Sequence, residues 1–79
     1  MSLVRYFVFN AGKDWLITLD GDVLSRHPSR SAAVKSAAVM ADLMGAMHHQ
    51  ADVMVESEGQ LEIAWTYGSD AVPIAEQAA

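Results

Sequence analysis

The chain has 79 residues, with ten acidic residues, five basic residues and no cysteine. A chain of this length forms one small domain, and the absence of cysteine excludes disulfide bonds and thiolate metal sites. No basic segment followed by a continuous apolar run is present, so we predict no signal peptide, no transmembrane span and a cytoplasmic location. One domain over residues 1–79 is expected, with an ordered core over 3–73 and a tail over 74–79.

The charges are unevenly distributed along the chain. All basic residues lie in the first half, whereas seven acidic residues between Asp42 and Glu76 fill the second half without one base. Opposite charges on the two halves attract within one molecule or between copies, although ordinary surface charge also explains them. The net charge of −5 makes the whole domain a poor partner for phosphate backbones.

Three strands are predicted in the first third of the chain. Residues 3–9 and 15–19 are rich in β-branched and aromatic residues, and residues 10–14 between them are typical of a turn. Asp20-Gly21 predicts a hairpin that returns as a third strand over 23–27, with the choice between a two-residue and a three-residue loop left open.

One helix is predicted after the three strands. Ser29 is an expected N-cap, the helix runs over 30–44, and Gly45 is expected to end it in a left-handed conformation. The spacing of small and apolar residues predicts a buried stripe that allows the helix to approach a sheet closely. This stripe contains Ala33, Ala37, Met40, Ala41 and Met44, widened by Val34 and Ala38.

A last hairpin is predicted from residues 51–56 and 60–67. A three-residue loop with Gly59 left-handed would place Val55 opposite Leu61 and Val53 opposite Ile63 on one apolar face. A two-residue loop would instead place Val55 opposite Glu62. We therefore favour the three-residue loop, since it keeps the apolar residues together.

The resulting order β-β-β-α-β-β predicts an α+β domain with a single antiparallel sheet and one helix packed on one face. The strands carry apolar residues on both faces. In the first strand, Val4, Tyr6 and Val8 lie on one face and Leu3, Phe7 and Phe9 on the other. Large exposed apolar patches are uncommon on monomers. The sequence therefore predicts a homodimer, packed through the sheet or formed by strand exchange.

Several residues point to a family. Asp14-Trp15, Gly21, Ser29 before an alanine-rich helix, Gly59 and the closing run from Tyr67 to Pro73 resemble the short bacterial proteins grouped as domain of unknown function number 2188. The resemblance covers nearly the whole chain, although Ala71 stands where the family usually has proline. It implies a stand-alone small bacterial domain without an established activity. It marks seven positions, to which we assign structural roles: Trp15, Gly21, Gly59, Tyr67, Gly68, Asp70 and Pro73.

No catalytic, cofactor-binding or metal-binding residues are predicted. His48 and His49 are adjacent and point in different directions, and His27 is remote from both in sequence. Glu56, Glu58 and Glu62 lie near a turn, where carboxylates stay solvated. Trp15, Trp65 and the methionines at 40, 44 and 47 are interpreted as core residues.

Three functional hypotheses follow. The first is a non-enzymatic, oligomeric protein-interaction module without a cofactor. The second is a nucleic-acid-binding domain, on which the five basic residues would gather on one side. The third is a small-molecule or enzymatic site near residues 67–70, which needs a pocket that one helix on one sheet scarcely encloses. The second hypothesis rests on Arg5, Lys13, Arg26, Arg30 and Lys35.

Overall fold

A computed structural model describes residues 3–70, which form five strands and one helix. Along the chain, the first three strands are followed by the helix, and the last two strands form a hairpin. These elements are β1 (Leu3–Ala11), β2 (Asp14–Leu19), β3 (Asp22–His27), α1 (Arg30–Ala46), β4 (Gln50–Ser57) and β5 (Gln60–Thr66). The predicted α+β class with a single helix is confirmed.

The five strands form one sheet in the order β3-β2-β1-β4-β5. β1 lies in the middle, with β2 antiparallel on one side and β4 parallel on the other. The outer pairs, β2–β3 and β4–β5, are antiparallel. The sheet is therefore mixed, and the prediction of an antiparallel sheet is wrong for its central pair.

The length of α1 explains the parallel pairing. α1 has 17 residues, and at about 1.5 Å per residue it spans roughly 25 Å, more than the roughly 20 Å length of a six-residue strand. The helix thus carries the chain back along the whole sheet after β3. β4 then begins at the same end as β1 and runs in the same direction, as in other helical crossovers.

Two of the three two-residue hairpin loops have positive φ at both loop residues. Asp20 and Gly21 have φ values of 53° and 86°, and Glu58 and Gly59 have values of 53° and 80°. Positive φ at both central residues is the requirement of a type I′ turn, whose twist matches that of the flanking strands. The first of these hairpins, whose register the sequence left open, therefore has the shorter loop.

The predicted register of the last hairpin is wrong. The two-residue loop places Val55 opposite Glu62, and Leu61 lies opposite Glu56. A shift between Val53 and Met54 then leaves Ala64 as an extra, bulged residue, so that Trp65 lies opposite Val53. Because a bulge reverses which face the following side chains occupy, Trp65 still enters the core.

Helix α1 begins as predicted and ends later than predicted. The Ser29 hydroxyl accepts a hydrogen bond from the Ala32 N–H at 3.1 Å, which is the geometry of an N-cap. Gly45 lies within the helix, and the left-handed residue is His48, with φ of 71°. The His48 and His49 N–H groups donate to the carbonyls of Gly45 and Met44. This is a Schellman motif with histidine at the position usually held by glycine.

The core lies between α1 and one face of the sheet. Every buried residue of the helix is alanine or glycine, so the helix backbone approaches the sheet closely. The predicted alanine stripe is confirmed, with Met40 and Met44 packed at its margin. Met47 is exposed, contrary to its predicted core role, because it follows the last turn of α1. The sheet supplies the bulk of the core: Tyr6, Val8, Ile17, Ala51, Val53, Val55 and Trp65.

Within residues 3–70, the helix does not meet the length and apolarity that a membrane span requires. Pro73 and the tail predicted over 74–79 lie outside the described residues.

Candidate interaction surface

The sheet face that points away from α1 carries many apolar side chains. Tyr6 and Val8 on β1 are buried beneath the helix. Since side chains alternate along a strand, Phe7 and Phe9 point to the opposite face. We call this second face the open face, because the single helix of residues 3–70 lies on the other side.

An apolar band crosses the open face from one edge of the sheet to the other. Cross-strand neighbours in the register define a first row, which runs Val23, Thr18, Phe7, Met54 and Ile63 from β3 to β5. The next row adds Leu16 and Phe9 from the paired strands β2 and β1, and Leu61 from β5. These eight residues are called the apolar band below.

The side chains at the two ends of the apolar band are exposed to solvent. Ile63 is 62% exposed at the β5 edge and Val23 is 57% exposed at the β3 edge. Phe7, Leu16 and Met54, toward the middle, are half-buried by their neighbours. Contiguous apolar surface of this kind usually marks an interaction site on a small domain.

An ion pair lies beside the apolar band at the centre of the sheet. Arg5 on β1 and Asp52 on β4 are register partners, and the guanidinium Nε and Nη2 donate to the two carboxylate oxygens at 2.8 and 2.9 Å. The Asp52 side chain is only 10% exposed. The hydrogen bond to Asp52 raises the pKa of Arg5 above its ordinary value, so the guanidinium stays charged at any physiological pH.

A second ion pair lies on the open face near the β3 edge. Arg26 Nη1 is 3.2 Å from Asp14 Oδ2, and both side chains are well exposed. Glu56, opposite Leu61, adds one further carboxylate to this face. The other acidic residues within 3–70 lie in turns, on the helix, or at strand positions that do not belong to the open face. They are Asp20, Asp22, Asp42, Glu58, Glu62 and Asp70. The open face is therefore nearly balanced in charge on a strongly acidic domain.

The basic residues do not gather on one side. Arg5 and Arg26 are on the open face, where each is paired with a carboxylate. Arg30 and Lys35 belong to α1 on the opposite layer, and Lys13 lies in the β1–β2 turn. A continuous basic track for a phosphate backbone does not form among the described residues.

The closing segment after β5 makes a capped turn. The Asp70 carboxylate accepts from the Thr66 N–H at 2.9 Å, and the N–H groups of Ser69 and Asp70 donate to the Thr66 carbonyl. Gly68 has φ of 86°, which favours glycine. Three of the predicted motif positions, Tyr67, Gly68 and Asp70, thus form one local structure.

Tyr67 joins the closing segment to the end of the helix. Its N–H extends the β4–β5 pairing by donating to the Ala51 carbonyl at 2.9 Å. Its ring lies against Gly45, and a Cβ added at Gly45 would fall within the ring. Gly45 is therefore required for close approach rather than for a left-handed conformation.

The remaining candidates stay apart from one another. Within residues 3–70, no three histidine, aspartate or glutamate side chains converge on a common metal position. His27 shares a hydrogen bond with the Ser25 hydroxyl, at 3.0 Å between Oγ and Nε2. Trp15 packs against the core, and Gly21 and Gly59 occupy their hairpin turns. Of the predicted carboxylate cluster, Glu56, Glu58 and Glu62 are all exposed.

Comparison with known proteins gives no match: no family model, no curated protein and no solved structure is similar to this chain. The resemblance to domain of unknown function number 2188 therefore stays a prediction.

The Arg5–Asp52 pair was not predicted from the sequence. Arg5 was grouped with the other basic residues and Asp52 had no assigned role, although both residues interrupt otherwise apolar strands. A charge within an apolar strand needs a partner, and that need was the available signal. The pairing itself depends on β1 lying next to β4, which was not predicted.

Proposed function

We propose that this domain is a non-enzymatic interaction module that forms a homodimer through the open face of its sheet. The apolar band is the observation that carries the proposal, since it crosses all five strands on the face away from α1. A cytoplasmic location and membership of domain of unknown function number 2188 belong to the same proposal. The family membership is supported by the closing motif, in which Tyr67, Gly68 and Asp70 are present.

The size of the open face suits a small dimer interface. Strands spaced about 4.8 Å apart and about 20 Å long give a five-stranded face of roughly 500 Å². Two such faces in full contact bury about 1,000 Å² together, near the lower limit of specific interfaces, and contact over four strands buries about 800 Å², which fits a weak dimer. The apolar band provides the desolvated centre that such an interface needs.

The charge distribution favours a second copy of this chain as the partner. Arg5 and Arg26 are each neutralised by a carboxylate of the same subunit. Most other acidic residues lie away from the open face, so two acidic domains bring little unbalanced charge together when these faces meet. The same surface on both partners is what a two-fold dimer requires.

The edges of the sheet are less suited to association than its face. The β2–β3 pairing shifts between Ile17 and Thr18, and the β4–β5 pairing shifts between Val53 and Met54. Both edge strands are thus bulged, which interrupts the regular ladder that a further strand would extend. Packing through the face is therefore proposed over strand exchange.

Sedimentation equilibrium of Ile63→Lys and Leu43→Lys tests the proposal. Ile63 is 62% exposed on the open face, and Leu43 is 60% exposed on α1, so the same substitution is made at equal exposure on opposite layers. We expect the wild type and Leu43→Lys to be dimers. Ile63→Lys should be a folded monomer, because a lysine ammonium would have to be buried in the apolar band.

Circular dichroism and thermal unfolding must show that both variants fold. A monomeric wild type at high micromolar concentration would end the proposal, and so would equal dissociation of both variants. A chain that lacks residues 71–79 is measured in the same way. If the truncated chain dimerises and the full chain does not, the chain's own tail occupies the open face.

A further inference from the structure

We propose that the two copies pair about a two-fold axis parallel to the strands and lying between β1 and β4, so that each Arg5–Asp52 pair meets the partner's pair in reverse order. This inference rests on the proposed function, because it specifies the geometry of that dimer. Its physical basis is the position of the charges relative to the apolar band.

Three rows of side chains define the centre of the open face. Arg5 and Asp52 form one outer row, at the level of Thr66 on β5. Phe7 and Met54 form the middle row. The other outer row has Phe9 on β1 and Glu56 on β4, two residues further along each strand. β1 and β4 thus present two different columns of side chains beside each other.

An axis parallel to the strands and between β1 and β4 exchanges these two columns. Arg5 then lies over the partner's Asp52, and Asp52 lies over the partner's Arg5. Phe7 likewise lies over the partner's Met54. Because β2 is exchanged with β5, Leu16 lies over the partner's Leu61, and Thr18 over the partner's Ile63. One operation therefore matches the ion pairs and most of the apolar band. Phe9 lies over the partner's Glu56, which is exposed, and Val23 on β3 has no counterpart.

Two other two-fold axes bring like charges together. An axis along β1 itself places Arg5 over the partner's Arg5. An axis across the strands at the level of Phe7 exchanges the outer rows and places Asp52 over the partner's Glu56. Like charges that are juxtaposed and desolvated disfavour an interface by several kcal/mol. Of these three axes, the charges therefore favour the one between β1 and β4.

The hydrogen-bonding capacity of Arg5 supports this choice. A guanidinium has five N–H donors, and Asp52 accepts from Nε and from Nη2 within the subunit. The remaining donors of Arg5 require acceptors once the open face is desolvated. The partner's Asp52 carboxylate supplies them, and the two pairs close into a ring of alternating charges.

A charge-exchange experiment tests this ring. Arg5→Asp places two carboxylates at the centre of each subunit, and Asp52→Arg places two guanidiniums there. We expect each variant alone to show at least about a tenfold rise in dimer Kd, because four like charges would meet. An equimolar mixture should form heterodimers in native mass spectrometry. The double variant R5D/D52R should dimerise like the wild type, since it restores both pairings in reverse.

A second pair of variants tests the axis without changing the ion pair. β3 has no counterpart under this operation and lies outside the overlap, whereas β5 lies over the partner's β2. Val23→Lys should therefore leave the dimer Kd within about threefold of the wild type, as expected for a charge outside the contact. Ile63→Lys, at similar exposure in the same row, should dissociate the dimer.

The position of the two-fold axis and the existence of the homodimer are tested by different outcomes. If Val23→Lys and Ile63→Lys dissociate a wild-type dimer equally, or if the charge variants form no heterodimer when folded, the open faces meet about another axis. The homodimer itself then stands. If the wild type does not dimerise, the proposed function fails and this geometry fails with it.

Discussion

The two faces of the sheet bury apolar side chains by different means. On the covered face, the helix supplies only alanine and glycine among its buried residues, and large side chains of the sheet fill the space. On the open face, equally large residues such as Phe7 and Leu16 are shielded only by their neighbours and are half-buried. The comparison shows that a helix can complete a core with little side-chain volume. It also shows that one helix leaves half of a two-sided apolar sheet available for association.

Adjacent residues on β2 offer the largest expected difference between the faces. Ile17 is completely buried on the covered face, whereas Leu16 is half-buried on the open face. Ile17→Ala should lower the free energy of unfolding by about 2–5 kcal/mol, because a cavity remains. Leu16→Ala should lower it by about 1 kcal/mol or less. Urea unfolding of both in the Ile63→Lys background separates folding from association, and equal losses would contradict the two-face description.

The contact between the helix and Tyr67 gives the next largest effect. Glycine to alanine within a helix normally stabilises by about 1 kcal/mol. Gly45→Ala should instead destabilise by about 1–3 kcal/mol, because its methyl group would overlap the Tyr67 ring. The same substitution in a Tyr67→Ala background should be stabilising. Thermal unfolding of the four proteins measures this coupling, and additive effects would exclude it.

A substitution at the C-terminal end of α1 should stabilise the folded domain. His48→Gly should raise the free energy of unfolding by about 1 kcal/mol, since histidine holds a φ of 71° there. His49→Gly is a matched control without a positive φ, and it should be neutral or destabilising. Chemical unfolding measures both changes. A stabilising His49→Gly of equal size would show that the left-handed conformation is not the cause.

The smallest predicted effect is a loss of folding stability at alkaline pH. Burial on the covered face raises the pKa of Tyr6, so the folded chain retains a proton that the unfolded chain loses. Stability should therefore be unaffected below the unfolded pKa of about 10 and fall as pH rises above it. Tyr6→Phe should show a smaller fall in Tm between pH 9 and 11 than the wild type. An unchanged fall in Tyr6→Phe would assign the effect to other groups.

Much of the fold follows from local sequence signals. Ser29 as N-cap, the alanine stripe and the Asp-Gly turn act over a few residues, and each is found where it was predicted. The last hairpin was mispredicted because its apolar residues were assumed to share one face. Leu61 and Ile63 lie on the open face, and only the bulge at Ala64 returns Trp65 to the core. Register depends on what covers each face, which a single strand does not reveal.

The candidate surface was predictable in composition but not in arrangement. Apolar residues on both faces of β1 indicate an uncovered apolar surface, which is the origin of the dimer prediction. The apolar band and the Arg5–Asp52 pair require the parallel neighbours β1 and β4, whose charged residues are 47 positions apart. The length of the helix held the missing information, since a 17-residue crossover returns the chain by a full strand length.

The parallel β1–β4 pairing also has a consequence for how the domain folds. Among the strands within residues 3–70, it is the one pairing that joins the first three strands to the last hairpin. Each of those parts has mainly local contacts, whereas their docking must close a long loop before any pairing energy is gained. We expect this docking to limit the folding rate. Substitutions at the β1–β4 junction should then slow folding, and substitutions in the outer turns should mainly speed unfolding, as measured by stopped-flow chevron plots.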